Sequence, residues 1–262
     1  MPTSATPDIG LIIVGDEILS GKRADKHLPK LIELLNARGL QLGWVEYVGD
    51  KPERITETLR RVFASGDIVF CTGGIGATPD DHTRQCAARA LGRELELHPQ
   101  AEALIRERMQ DTAREQGVPY EPDRPDNIHR LNMGVFPKGA SIIPNPYNKI
   151  PGFTVGRVHF VPGFPVMAWP MIEWVLEENY RPLFNQRPQV EKSVIVFGSM
   201  EAIERDHPAV KVFSLPSVDH PQWGRHIDLG VKGEPSAVDV AFPQLIAGLA
   251  ALGVKLGPEL VR

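Results

Sequence analysis

An α/β fold built on a doubly wound, largely parallel sheet is what this sequence predicts, and three observations carry the expectation. Short apolar runs alternate with stretches of helical periodicity, the connections between them are short, and glycine-containing turns follow three of the runs. Strands covered by helices on both faces read as continuous apolar runs rather than alternating ones, and that is the pattern here.

The first run is Ile9-Gly-Leu-Ile-Ile-Val14, which ends at Gly15-Asp16. Residues 26–38 then carry Leu28, Leu31, Leu34 and Leu35 at helical spacing, with Asp25 as a candidate cap and Gly39 suited to the position past the end. Pro29 is tolerated only in a first turn, which fixes where this helix starts. The unit repeats with a strand at 41–48, a helix at 52–64 and an apolar strand at 67–72. Helices are expected at 83–91 and, long and charged, at 99–116. In such sheets ligands bind beyond the carboxyl ends of the strands, so the turns at Gly15, Gly49 and Gly73 should open on one edge.

After residue 117 proline and glycine become dense, and 120–127 reads as an ordered loop. A strand at 157–161 and a helix at 165–179 follow, the latter carrying Trp169, Met171 and Trp174, which read as core and interface packing. Residues 181–188 have linker character. The expected division is a main domain over 1–182 and a small α+β domain over 189–262, with strands at 193–197, 209–214 and 226–231 and a helix at 236–252.

Composition removes several function classes. Of 262 residues, 42% are hydrophobic and 24% charged, enough for a core that needs no disulfide or metal staple. The net charge of −4 argues against a nucleic-acid partner. Residues 1–8 lack a signal peptide's basic stretch and apolar core, and the apolar runs are too short to span a membrane. Cys71 and Cys86 form no Cys-x-x-Cys motif, so a reduced, cytoplasmic protein is expected.

The strongest chemical signal is the loop 72–83, Thr-Gly-Gly-Ile-Gly-Ala-Thr-Pro-Asp-Asp-His-Thr. Gly73, Gly74 and Gly76 permit positive φ and close approach of backbone amides to a ligand, and with the N-terminus of the next helix they would form an anion site. The plainer reading is a tight turn capped by Asp81 or Thr83. Asp80 and Asp81 would repel a phosphate unless a cation sits between them, which points to a divalent metal, Mg²⁺ by default; a solvated acidic turn is the alternative. Gly15-Asp16-Glu17 and Gly49-Asp50 occupy equivalent places after the neighbouring strands. His82 reads as exposed, Cys71 as core, and Arg84 as a partner of Asp80 or of a phosphate.

Three segments together, Gly15-Asp-Glu-Ile-Leu-x-Gly21, Val48-Gly-Asp50 and the loop 72–83 with Thr72, Thr78 and Thr83, resemble the molybdopterin-binding domain family. Within it the similarity is to the N-terminal domain of CinA-type proteins and to the molybdopterin-binding-like region of FAD synthases. The resemblance spans residues 9–180 and implies a three-layer α/β/α fold with a pocket for a nucleotide or pterin. It also implies metal-dependent hydrolysis of a dinucleotide-type pyrophosphate such as ADP-ribose or FAD. Asn127-Ile-His-Arg130 resembles the family's Asn-x-x-Arg, in which the arginine can face phosphate. Asn145 through Gly152 resembles its Asn-x-x-Gly-x-x-Pro-Gly loop, and Pro162-Gly163-Phe164-Pro165 a Pro-Gly-Pro-Pro turn.

The chain departs from the pattern at Asn148-Lys149, where Gly-Thr is usual, at Met167, where a glutamate is common, and at His27, where an asparagine is usual. A role of that glutamate is therefore not carried to this chain. Nor is the nicotinamide-nucleotide deamidation of the amidase domain that follows in full-length CinA-type proteins. Three functions stay open on the sequence: the pyrophosphatase, molybdenum-cofactor assembly by binding or adenylating molybdopterin, and a non-enzymatic ligand sensor. A small-molecule nucleotide or pterin is the expected partner, and a homo-oligomer, dimer or trimer, the expected assembly.

Overall fold

The computed structural model describes residues 7–185, 190–197 and 209–262. The linker expected over 181–188 therefore lies partly outside the described residues. By its contacts the chain forms two compact units, Met1–Phe184 and Asn185–Arg262.

The first unit runs β1 (Ile9–Val14), α1 (Asp16–Leu19), α2 (His27–Asn36), β2 (Trp44–Val48), α3 (Pro52–Ser65), β3 (Ile68–Thr72), α4 (Thr83–Leu91), β4 (Leu95–Leu97) and α5 (Pro99–Glu115). It continues with α6 (Pro125–Arg130), β5 (Val135–Pro137), β6 (Ser141–Ile143), β7 (Gly152–Val155), β8 (Val158–Val161) and α7 (Pro165–Asn179). The main sheet has the order β2-β1-β3-β8-β7-β6. Its first four strands are parallel, β7 runs antiparallel to β8, and β6 in turn runs antiparallel to β7, so the sheet is mixed, with the parallel part where the sequence placed it.

Alternation along the strands builds three layers. Ile12 and Val14 of β1 face a core shared with Ile55, Leu59 and Val62 of α3 and with Cys86 and Ala87 of α4. Leu11 and Ile13 face the opposite core, with Leu31, Leu34 and Leu35 of α2 and Met171, Ile172 and Val175 of α7. Both faces of the strands are thus covered, which is why their sequences are continuously apolar. Phe153 and Phe160 stack at 4.3 Å and Phe136 stacks on Phe153 at 4.7 Å, closing the first core at its β7 side. The Asp25 carboxylate accepts from the amides of His27 and Leu28 at 2.7 and 3.1 Å, so the expected cap is formed. Both cysteines are free and buried, and burial pushes the Cys71 thiol far above its ordinary range.

Two expectations about 117–165 are corrected. The stretch 120–127, read as loop, gives way at Pro125 to α6, because a proline is tolerated in a helix's first turn and its flanking glycines and prolines hid the element. The short strands β5 to β7, like β4 before them, have three or four residues each and are not expected from the sequence, because strands so short carry little periodicity.

The second unit is a four-stranded antiparallel sheet, β10 (Val210–His220), β11 (Gly224–Gly233), β9 (Val190–Phe197) and β12 (Lys255–Val261), with α8 (Pro235–Ala251) on one face. Val194, Val196, Leu229 and Val231 pack there on Val238, Phe242 and Leu245. The expected α+β character holds, but β12 adds a fourth strand. Gly257 and Pro258 fall at its register break, which is why it does not read as a strand. Among the described residues no helix is long and apolar enough to cross a membrane.

Candidate functional site

Parallel pairing of β1, β2 and β3 brings their carboxyl ends to one edge, and three turns meet there. The amide of Gly15 donates to the carbonyl of Val48 at 3.0 Å. Asp16 and Asp50 then cap one another: the Asp16 amide donates to Asp50 Oδ2 at 2.8 Å and the Asp50 amide to Asp16 Oδ1 at 3.2 Å. A Cβ at position 49 would collide with Asp16 Oδ1, so a side chain there would push that carboxylate out of its contact with the Asp50 amide.

The third turn is held more tightly. Gly73 and Gly74 have φ of 95° and 68°, in the left-handed region that favours glycine. The Gly73 amide donates to the carbonyl of Val161 at 3.1 Å, anchoring the loop to β8. The buried Thr83 hydroxyl donates to the Gly73 carbonyl at 3.1 Å, and the Thr83 amide to the Gly74 carbonyl at 2.9 Å. The Arg84 guanidinium donates to the Gly76 carbonyl at 2.5 Å, and the His129 ring lies 3.0 Å from the Ala77 carbonyl. These contacts take carbonyls. Among the described residues the amides of Gly74, Ile75, Gly76 and Ala77 donate to nothing.

A cleft of about 570 Å³ opens over these turns. Of the residues singled out in the sequence, Gly15, Glu17, Asp50, Gly73, Gly74, Gly76, Thr78, Asp80, Asp81, Asn145, Pro162 and Gly163 line it. Five do not. Thr72 is buried in β3 with its hydroxyl toward the Ile12 carbonyl, and Thr83 clamps the loop from beneath. Asp16 caps its neighbour and borders a separate groove beside β2. Gly152 lies inside the sheet, where a Cβ would collide with the Phe160 carbonyl. Arg130 ends α6 in a small separate recess with Arg124 and Asn127; the turn of α6 that reaches the loop is that of His129. In this arrangement α6 meets the loop through His129, and Arg130 lies outside the cleft.

Sequence reasoning missed Arg23, Met133 and Phe164, which also line the cleft. No local motif marks Arg23 or Met133, which the fold brings in; Phe164 lies in the 162–165 turn, whose pattern gives no sign that its side chain faces the cleft. The departures at 148 and 167 join Asn145 in a connected wall. Asn145 Nδ2 donates to Asn148 Oδ1 at 2.7 Å, and Asn148 Nδ2 to Met167 Sδ at 3.3 Å. Lys149 turns away to Glu107 and Asp111, at 2.6 Å each. His27, buried on α2, places Nε2 3.0 Å from the Gly163 carbonyl, tying the 162–165 turn to α2.

The site is acidic. Burial holds the Asp50 carboxyl above its ordinary value, opposed by the Asp16 amide and reinforced by the charges of Asp16, Glu17 and Asp80. Asp80 lies below the usual range, chiefly through the Thr78 hydroxyl. The same hydroxyl lies 2.5 Å from Asp81 Oδ2, which also accepts the Thr78 amide at 2.8 Å. A hydroxyl has one proton, so it serves one carboxylate at a time, and the geometry gives it to Asp81. Arg84 is buried, its guanidinium pulled below the ordinary range by desolvation against the opposing charge of Asp81, with Nε unpartnered. Among the described residues no three His, Cys, Asp or Glu side chains gather as a ready metal centre. The donors present are carboxylate oxygens, the chemistry of a hard divalent cation, and the charges that raise Asp50 are what such a cation relieves.

Fold and site together define a doubly wound α/β protein with a glycine-floored, carboxylate-lined cleft at the carboxyl edge of its sheet. The chain belongs to the family described as probable molybdopterin binding domain, whose pattern matches residues 10–185. A CinA-like protein of Anaeromyxobacter sp. (strain K) is 34% identical over 173 residues, covering 64% of this chain and 40% of that protein. This chain thus spans less than half the length of that relative. A protein of Pyrobaculum calidifontis is 31% identical over 262 residues, covering 92% of this chain and 95% of its own. The crystal structure of "the protein CinA with unknown function" from Thermoplasma acidophilum superposes with a TM-score of 0.55 at 25% identity, covering 65% of this chain and 98% of that one.

Proposed function

We propose that the cleft binds the phosphate end of a nucleotide or pterin and hydrolyses a dinucleotide-type pyrophosphate such as ADP-ribose or FAD. The observation that carries the reading is the run of four uncommitted amides, Gly74 to Ala77, on a loop held through the carbonyls of Gly73, Gly74, Gly76 and Ala77. Successive free N–H groups form a concave anion cradle, here backed by the buried guanidinium of Arg84. Asp80 and Asp81 are the residues that would hold a divalent cation, which when bound neutralises charge on phosphate oxygens. Hydrolysis adds a water oxygen to one phosphorus, cleaves the P–O–P bridge and leaves two monophosphates. Asp50 suits the acceptor of the water proton, because it lines the cleft and burial holds its carboxyl above the ordinary value.

The test is release of mononucleotide from ADP-ribose, FAD or NADH with Mg²⁺, Mn²⁺ or Co²⁺. Asp80→Asn and Asp81→Asn should lower turnover by at least about 100-fold, since each removes charge where the reaction develops it. Asn at 81 keeps an oxygen for the Thr78 amide, so the melting temperature should hold. Absence of mononucleotide release from the parent protein eliminates the hydrolase reading; turnover that survives both substitutions removes the cation role of Asp80 and Asp81.

A further inference from the structure

We propose that the same cleft carries a stacking subsite for a flat heteroaromatic ring, made by Phe164 with Arg23. The proposal deepens the phosphate reading above and rests on it for the orientation of the ligand. The cleft's polar groups gather on the turns after β1, β2 and β3, whereas Met133, Ile150, Pro151, Phe164 and Met167 give it an apolar side. Phe164 is 54% exposed while lining this cleft, so a large apolar face is left open toward the space a ligand would fill. A single exposed aromatic on a convex surface means nothing; one inside a concave site beside other apolar groups is the ordinary make-up of a ring pocket.

The backbone beneath Phe164 is fixed. Its carbonyl accepts from the amides of Met167 and Ala168 at 3.0 and 2.9 Å, which starts α7, and the preceding Gly163 carbonyl meets His27 at 3.0 Å. The platform is therefore set before any ligand arrives, which lowers the ordering cost of binding. The Arg23 guanidinium lies over the ring, 6.0 Å from its centroid, at the outer limit of a cation–π contact. A ring stacked at roughly 3.5 Å from each face needs a gap of about 7 Å, so the space falls short by about one ångström. Arg23 is exposed and can swing by that amount. Arg23 is also the one Lys or Arg among the described lining residues, which puts the cleft's mobile positive charge over the ring rather than at the phosphate loop. The chain has Phe164 where the turn it resembles has a proline, so the stacking face belongs to this sequence and not to the shared turn.

Calorimetric titration of the full chain separates the two readings, with four probes: adenosine 5′-monophosphate, flavin mononucleotide, ribose 5-phosphate and riboflavin. Phe164→Ala should weaken both ring-bearing phosphates by roughly 10- to 100-fold and leave ribose 5-phosphate within about twofold, the range expected when one base–aromatic stack is lost. Phe164→Trp should retain their binding, and Arg23→Gln should weaken them less than Phe164→Ala does. Equal loss for all four probes, or none, overturns the ring subsite and leaves the phosphate reading standing. Riboflavin binding as tightly as flavin mononucleotide, and depending on Phe164, supports the subsite and removes the phosphate reading. Failure of every probe to bind overturns both.

Discussion

Acidification from pH 6.5 toward pH 3 is expected to cost the first unit about 1.4 kcal/mol of stability per pH unit through His159 alone. His159 sits in the middle of β8 with no exposed surface, against Phe70 at 5.3 Å and between two hydroxyls. Thr154 Oγ1 lies 2.9 Å from Nδ1 and Tyr180 Oη 2.6 Å from Nε2. Desolvation pushes its pKa from 6.5 down to about 3, and burial pushes Tyr180 up to about 12, so neither group charges within the fold at neutral pH. The sign follows from where the proton goes. Between pH 6.5 and about 3 the unfolded chain binds a proton that the folded chain refuses, so stability present above 6.5 drains away as the pH falls. Asp111 and Glu177 are carboxylates held below their ordinary range, and the stability they contribute drains only as the pH falls into the ordinary carboxylate range, so the upper half of the window isolates histidine. Urea unfolding of the parent and of His159→Gln, repeated from pH 7 to pH 5, gives the slope. Parallel curves would sink the assignment.

Gly73→Ala should abolish ligand binding and destabilise the first unit by more than about 2 kcal/mol. Two costs combine. The residue holds φ at 95°, and a Cβ there would collide with the Val14 carbonyl oxygen in β1. Backbone in the middle of a parallel sheet cannot step aside as a side chain can, so either the loop or the β1 edge must move. Gly66→Ala is the internal comparison. It shares a positive φ, 79°, but nothing lies within 4 Å of its Cβ, so only the conformational cost of roughly 1 kcal/mol remains. Chemical denaturation of the two variants reads the difference directly. Equal losses would mean that strain in φ, and not the close approach of loop to strand, makes glycine necessary at 73.

Much of this molecule was legible in its residues. The buried parallel strands, the helices 83–91 and 165–179, and the meeting of the Gly15, Gly49 and Gly73 turns at one edge follow from local pattern, because continuous apolar runs and helical spacing report burial on both faces of a covered sheet. The short strands of 95–155 and the strand 255–261 were not legible. Their pairing is non-local and their composition is rich in glycine and proline, so nothing within a few residues announces them.

The loop 72–83 shows the same divide at the site. Its glycines and its acidic pair stand out in the chain and do line the cleft. Which of its threonines hold the loop and which face the ligand space depends on burial, and that is set by packing: Thr83 is sealed beneath while Thr78 reaches the opening. Arg130 and His129 are adjacent in sequence, yet the course of α6 delivers only the second to the loop. Arg23 and Phe164 are 141 positions apart and carry no shared motif; their meeting exists only because α2 and the start of α7 are pinned together through His27 and Gly163. The sequence by itself determined the sheet, its helices and the phosphate-type loop, since those are governed by neighbours in the chain. Tertiary structure alone decided the far wall of the cleft, since its members are brought together by contacts between elements that no local spacing encodes.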